Sequence, residues 1–293
     1  LAPLASHHDG GVVDLSIGTP FDPPPASVIN AFGSSGAERG YPASIGSAPL
    51  REAIQAWIDR RFSIDVATSS IAACVGTKEF VGTLPQWMRL RDPTRDTVLY
   101  PAISYPTYAM GATLAGCRAI PIAVDASGNL QLDSIDPHDI ERALLLWVNS
   151  PSNPSGQLDD LDAAAMWGRT HGVPVFSDEC YVEFTWDGRR RTILENGLDG
   201  VVAVHSLSKR SNLAGARVGF YAGDPDLVGY LSEVRKHVGM MVPGPAQSAA
   251  IAALGDDAHV EEQRERYGKR LTLMANVLSE WAKCDVPMPQ GGF

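Results

Sequence analysis

The chain has 293 residues, of which 44% are hydrophobic and 20% charged, which excludes a disordered or fibrous protein and allows one large core or about two domains. A formal net charge of −10 argues against a general nucleic-acid binder, which carries a basic face. The four cysteines (Cys74, Cys117, Cys180 and Cys284) have no Cys-x-x-Cys spacing, so neither a zinc knuckle nor a disulfide framework is expected.

In chain order, the Pro-rich "GTPFDPPPAS" (18–27) reads as an extended loop leading into a helix, and "LREAIQAWIDRRF" (50–62) has helical period. The run "IAACVG" (71–76) is a strand that ends in Gly76, Thr77 and Lys78, a turn whose free N–H groups and helix dipole suit a phosphate. A strand at 97–101 delivers Tyr105 and Tyr108 just beyond its end, and another spans 118–124. "ALLLWVN" (143–149) runs into Asn149 and Asn153 on a Pro- and Gly-pinned loop, where local backbone bonding is the plain reading.

A helical stretch at 160–172 ends in Gly172, a C-cap candidate. The strand at 173–178 ends in Asp178, with Tyr181 three residues on; such a carboxylate must pair with a cation or stay exposed. The basic run at 188–192 reads as a solvated loop rather than a phosphate-binding patch. "VVAVHSL" (201–207) yields Ser206, Ser208 and Lys209, and a last strand at 217–223 begins at Arg217. A charged helix at 261–282 leads toward a second, smaller unit.

These strands are apolar throughout, as in sheets buried on both faces. The expected fold class is α/β, a three-layer domain around a mostly parallel seven-stranded sheet. Ligands of such sheets sit at the carboxyl ends of the strands, so the polar residues there converge on one cleft. Hydroxyls, N–H groups and an arginine suit a phosphate, an aromatic suits a ring face, and a carboxylate suits a ring N–H⁺. Asn and Tyr suit a phenolic oxygen, and a lysine suits an imine. That inventory describes pyridoxal 5'-phosphate (PLP). No metal site is expected, because the seven histidines show no His-x-x-x-His pair. No apolar run is long enough to span a bilayer, and the expected location is cytoplasmic.

The segments "NSPSNPSG", "SDECY" and "SLSKRSNLAGARVGF" make the chain resemble the fold-type-I, PLP-dependent aminotransferases of class I/II, from "LSIGTP" to "PQGGF" in the family's order. The resemblance implies that Lys209 bonds to the cofactor, that Asp178 pairs with its pyridinium nitrogen, and that Asn153 and Tyr181 bond its phenolate oxygen. Tyr105 would stack on the ring. Thr77, Lys78, Ser206, Ser208 and Arg217 would hold the phosphate, with Gly76 at the turn. Tyr41 would reach the cofactor phosphate of the neighbouring subunit of a homodimer, and Gly18, with Asn153, would lie near the substrate carboxylate.

The implied domains are 1–35 (N-terminal part of a small α/β domain), 36–250 (large PLP-binding domain) and 251–293 (connecting helix and the start of the small C-terminal domain). The family's carboxylate-binding arginine is expected beyond residue 293, so the chain reads as truncated. Within the family the likeness is greatest to actinobacterial succinyldiaminopimelate aminotransferases of lysine biosynthesis, through "LSIGTPFDPPP", "SYPTYAMGATLAG" and "EVRKHVGMMVPGP". Glutamate would be the amino donor. An aspartate, alanine or aromatic aminotransferase is the alternative, or a β-lyase, racemase or decarboxylase on the same scaffold. A PLP-binding sensor lacks its usual DNA-binding region here. A serine hydrolase reading of Ser206-x-x-Lys209 lacks its K-T-G partner.

Overall fold

All seven apolar runs pair into one sheet in the computed structural model, which describes residues 18–33 and 36–293. The strands are β1 (Ile71–Cys74), β2 (Thr97–Pro101), β3 (Arg118–Ile122), β4 (Ala143–Asn149), β5 (Val175–Asp178), β6 (Val201–Ser206) and β7 (Gly219–Gly223). Their spatial order is β1-β7-β6-β5-β4-β2-β3. β7 runs antiparallel to both neighbours, and the other pairings are parallel.

The α-helices are α1 (Ala26–Gly33), α2 (Ala48–Phe62), α3 (Thr77–Arg91), α4 (Thr107–Leu114), α5 (Pro137–Glu141), α6 (Leu161–His171), α7 (Leu207–Arg210), α8 (Pro225–His237), α9 (Gly244–Leu254) and α10 (Ala258–Ala282). Alternate strand residues feed two cores, because successive side chains point to opposite faces. Ala73, Val148, Val175, Ala203 and Phe220 pack with α2, α6 and α9. Cys74, Trp147, Phe176, Val204 and Tyr221 pack with α3, α4 and α8. The result is the expected three-layer α/β architecture.

Two local features place the functional ends. Gly172 caps α6 in the left-handed region at φ 61°, which turns the chain sharply into β5. The loop before α1 is strapped to α10: both Asp22 carboxylate oxygens accept from Arg270, at 2.6 and 2.9 Å, and Gln263 donates to Asp22 at 2.8 Å. Gly18, four residues before Asp22, accepts from the Lys209 ammonium just past the end of β6.

The division at 35 and 250 remains a proposal. Residues 1–17, 34 and 35 of the N-terminal segment lie outside the described residues, and the boundary at 250 falls within α9.

Candidate active site

Register explains why residues far apart in sequence meet. Asn149 pairs with Asp178 across β4 and β5, and Asp178 with Val204 across β5 and β6. Because β7 is antiparallel, its first residue, Gly219, stands between Cys74 and Ser206, at the carboxyl ends of β1 and β6. Arg217, two residues before it, therefore arrives at the same edge as the Gly76–Lys78 turn.

Asp178 shares the face of Phe176 and is buried at 7% exposure. The tyrosine Oη of Tyr108 donates to its Oδ2 at 2.9 Å, and the Cys180 N–H to its Oδ1 at 3.2 Å. Asp178 is therefore not exposed, and among the described residues no ion pair of the protein reaches it; two hydrogen bonds hold it, and the cation expected for it is the cofactor's ring N–H⁺. Burial pushes its pKa up, against those bonds and the Lys209 charge.

Lys209, on α7, donates from Nζ to the Gly18 carbonyl. Its ammonium lies 5.8 Å from the Tyr181 ring centre and 5.6 Å from that of Phe293. Burial pushes the amine down, while Cys180 and Asp178 pull it up, and the net direction is down. Asn153 donates to the Tyr181 hydroxyl at 3.4 Å, and burial drives that phenol well above its ordinary value. Lys78 lies 6.0 Å from the Tyr105 ring centre, and Tyr105 meets Tyr108 edge-on at 6.0 Å.

The other end of the cleft is cationic and donor-rich. The α3 N-terminus has no side-chain cap, and Gly76 ahead of it sits at φ 75°. A Cβ on Gly76 would stand 2.2 Å from an Arg217 guanidinium nitrogen, so glycine is required for their close approach. Ser206 caps α7 by accepting from the Ser208 N–H at 3.1 Å, which leaves its own hydroxyl proton to donate elsewhere.

The structure thus gathers Gly18, Gly76, Thr77, Lys78, Tyr105, Asn153, Asp178, Tyr181, Ser206, Ser208, Lys209 and Arg217 at one sheet edge. Tyr41 is not brought there; it is 100% exposed on the surface. Sequence reasoning left Tyr108 in the core, and it is buried, stacked on Trp147 at 5.1 Å, yet its hydroxyl holds Asp178. Asn149 makes the local backbone bonds expected of it, accepting from the Asn153 N–H at 2.7 Å and donating to the Pro151 carbonyl at 3.1 Å, and it also donates to the Asp178 carbonyl at 2.8 Å. Asn149 is the last residue of β4, whereas Tyr108 lies in the first turn of α4, where nothing local marks its partner.

This donor set fits PLP. A buried carboxylate without a cation gains most from a ligand N–H⁺. An amine held below its ordinary range suits covalent and proton-transfer work, and a bare helix N-terminus beside an arginine suits a phosphate.

The aminotransferase class I and II family profile matches residues 10–293. A 4-dedimethylamino-4-oxo-anhydrotetracycline transaminase, OxyQ, of Streptomyces rimosus is 41% identical over 99% of this chain and 79% of its own length. A probable aminotransferase, Rv1178, of Mycobacterium tuberculosis is 43% identical over 91% of this chain and 63% of its own, so this chain spans less than two thirds of that relative. A solved probable N-succinyldiaminopimelate aminotransferase of Thermus thermophilus is 26% identical, with TM-score 0.84, covering 92% of this chain and 75% of that one. The fold and site define a PLP-dependent enzyme of fold type I. The chain belongs to the class I and II aminotransferase family, which uses PLP.

Proposed function

We propose that the chain carries the cofactor half of an aminotransferase that moves an amino group from an L-amino acid to a 2-oxo acid. One observation carries the reading: an uncompensated, buried carboxylate, Asp178, beside an amine, Lys209, whose charge burial disfavours. When bound, PLP supplies an electron sink for the carbanion at the substrate's α-carbon. Asp178 would hold the proton on the ring nitrogen, with Tyr108 and the Cys180 N–H fixing the carboxylate's orientation. Asn153 and Tyr181 would bind the ring oxygen, and Tyr105 would cover a ring face. Thr77, Lys78, Ser206, Ser208 and Arg217 would bind the phosphate. Lys209 Nζ would take the α-proton and return it to the carbon two bonds away. Tyr41, exposed on the surface, supports a homodimer in which it reaches the neighbouring subunit, and the location would be cytoplasmic.

For the substrates we favour L-glutamate and N-succinyl-2-amino-6-oxopimelate, a step of lysine biosynthesis. The sequence likeness and the Thermus neighbour support that reading. The identity to OxyQ favours a second one, a 4-oxo acceptor of the kind its name describes, and the aromatic wall of Tyr181, Phe293 and Tyr267 at the amine supports it.

The test is the visible spectrum with PLP, before and after L-glutamate and then each acceptor. A band that bleaches with glutamate and returns with one acceptor establishes transamination and its substrate. No band at all sinks the cofactor reading. A band that glutamate leaves unchanged sinks the glutamate half-reaction, and release of pyruvate from a β-substituted amino acid would instead mark a β-lyase.

A further inference from the structure

The basic run at 188–192 is not a free solvated loop. Gly188, Arg189 and Arg190 line a surface cavity of about 320 Å³ together with Arg61, Thr185 and Arg264, and none of its lining residues is acidic. It shares no residue with the Lys209 cleft.

The acids that balance these arginines stand behind the wall and are already shared. Glu183, 2% exposed, serves Arg61, Arg190 and Arg210 and accepts from the Trp57 indole N–H at 3.0 Å. Glu261 serves Arg61 at 3.2 Å and Arg190 at 2.7 Å. Arg189 sits at the rim, 66% exposed, paired with Glu195. Arg264 has no carboxylate within ion-pair distance among the described residues. It donates to the Glu183 carbonyl at 3.1 Å and lies over the Trp186 ring at 4.5 Å.

Counting every linked group, Arg60, Arg61, Arg189, Arg190, Arg191, Arg210 and Arg264 face Glu183, Glu195, Glu261, Asp162 and Asp257, an excess of two positive charges (7 − 5). Burial and the positive charge of Arg190 push Arg264 down, against the pull of Glu261 and Glu183. A locally cationic concavity on a chain of net charge −10 has a function to explain. Guanidinium forks match carboxylate and phosphate oxygens in pairs, and the volume lies at the lower end of small-molecule sites.

We infer that this cavity binds a small, multiply charged oxyanion, either a phosphorylated compound or a polycarboxylate. The anion would face the Arg61, Arg190 and Arg264 guanidiniums, with Arg189 closing the rim. The inference does not rest on the function proposed above.

Isothermal titration calorimetry of the PLP-saturated protein, with pyrophosphate in one arm and citrate in the other, tests it. PLP fills the Arg217 end of the cleft, so those probes report on the second site. Saturable one-to-one binding of either probe is expected, weakened roughly tenfold or more by Arg264→Gln, which removes a charged donor. Arg189→Ala at the exposed rim should weaken it less, and Lys236→Ala, the same loss of charge far away, should not. Pyrophosphate alone identifies phosphoryl ligands, and citrate alone identifies carboxylates. Binding of neither probe overturns the site. So does an Arg264→Gln variant with parental circular dichroism and parental affinity.

Discussion

At the scale of the residue, two neighbouring acids behave differently because of the faces they occupy. Asp178 points to the α3–α4 face and is held by Tyr108 and a backbone N–H. Asp178→Asn keeps the size and loses the charge that would hold a ring proton, so turnover should fall on the order of 10²-fold or more with the fold intact. Steady-state rates alongside circular dichroism check this. Tyr108→Phe should be milder, since the Cys180 N–H remains. Glu179, one residue on, turns to the opposite face, 3.3 Å from His205, where Trp57 and Phe220 exclude water. Burial pushes Glu179 up to about 8 and His205 down to about 3, so both are neutral near pH 7. The raised Glu179 contributes stability that is full below its ordinary 4.5 and is lost as pH rises through about 8. The lowered His205 acts in the other direction, on the acid side, with stability lost as pH falls from 6.5 toward 3. Glu179→Gln should therefore lose less thermal stability than the parent between pH 6 and pH 9, an ordering that melting curves can read; an equal loss would refute the neutral-acid assignment.

At the scale of the element, the antiparallel β7 is what completes the site. A parallel strand there would carry Arg217 to the far edge of the sheet. Instead Arg217, itself at φ 52°, turns back over Gly76. Gly76→Ala should weaken PLP binding by about tenfold and also lower the melting temperature, because φ 75° is strained for any residue with a Cβ and the new methyl displaces the Arg217 guanidinium. A fluorescence titration with PLP measures it, and parental affinity would show that the close approach has no role. All seven strands were legible, because strands buried on both faces are continuous apolar runs. α3, which carries the phosphate turn, was less so, since its sequence includes Pro85 and its apolar residues face a sheet that sequence does not show. Asp178 could be singled out from its place at a strand end. Its partner Tyr108 could not, because the bond between them spans 70 residues and arises only when α4 packs beside β5. The cationic cavity was equally hidden: Arg61 and Arg264 lie more than a hundred residues from each other in sequence and join Arg190 only in the fold.

At the scale of the whole molecule, one buried carboxylate ties together the helices on one face of the sheet. Glu183 sits in a short 3-10 turn, Val182–Phe184, and its side chain bonds or ion-pairs with Trp57 and Arg61 of α2, Arg190 of the loop beyond and Arg210 of α7. Arg210 extends the network, donating to the Ala253 carbonyl at 2.8 Å and approaching Asp257 at 3.4 Å, so α9 and the start of α10 join it. Arg210 follows Lys209 directly, which means the network also anchors the short helix that presents the amine. Removing one partner of a buried ionic cluster leaves the others charged and desolvated, a loss of about 3–5 kcal/mol. Breaking an exposed pair such as Glu233–Lys236, 61% and 58% exposed, costs little, because water and salt screen it. Glu183→Ala should accordingly lower the urea midpoint far more than Glu233→Ala, and should disturb Lys209 as well. The second effect separates this network from a merely stabilising one: Glu183→Ala should alter the pH at which the PLP band titrates, in conditions where the variant is still folded. Equal urea midpoints for the two variants would remove Glu183 from the centre of the fold, and an unchanged titration would disconnect the network from the amine.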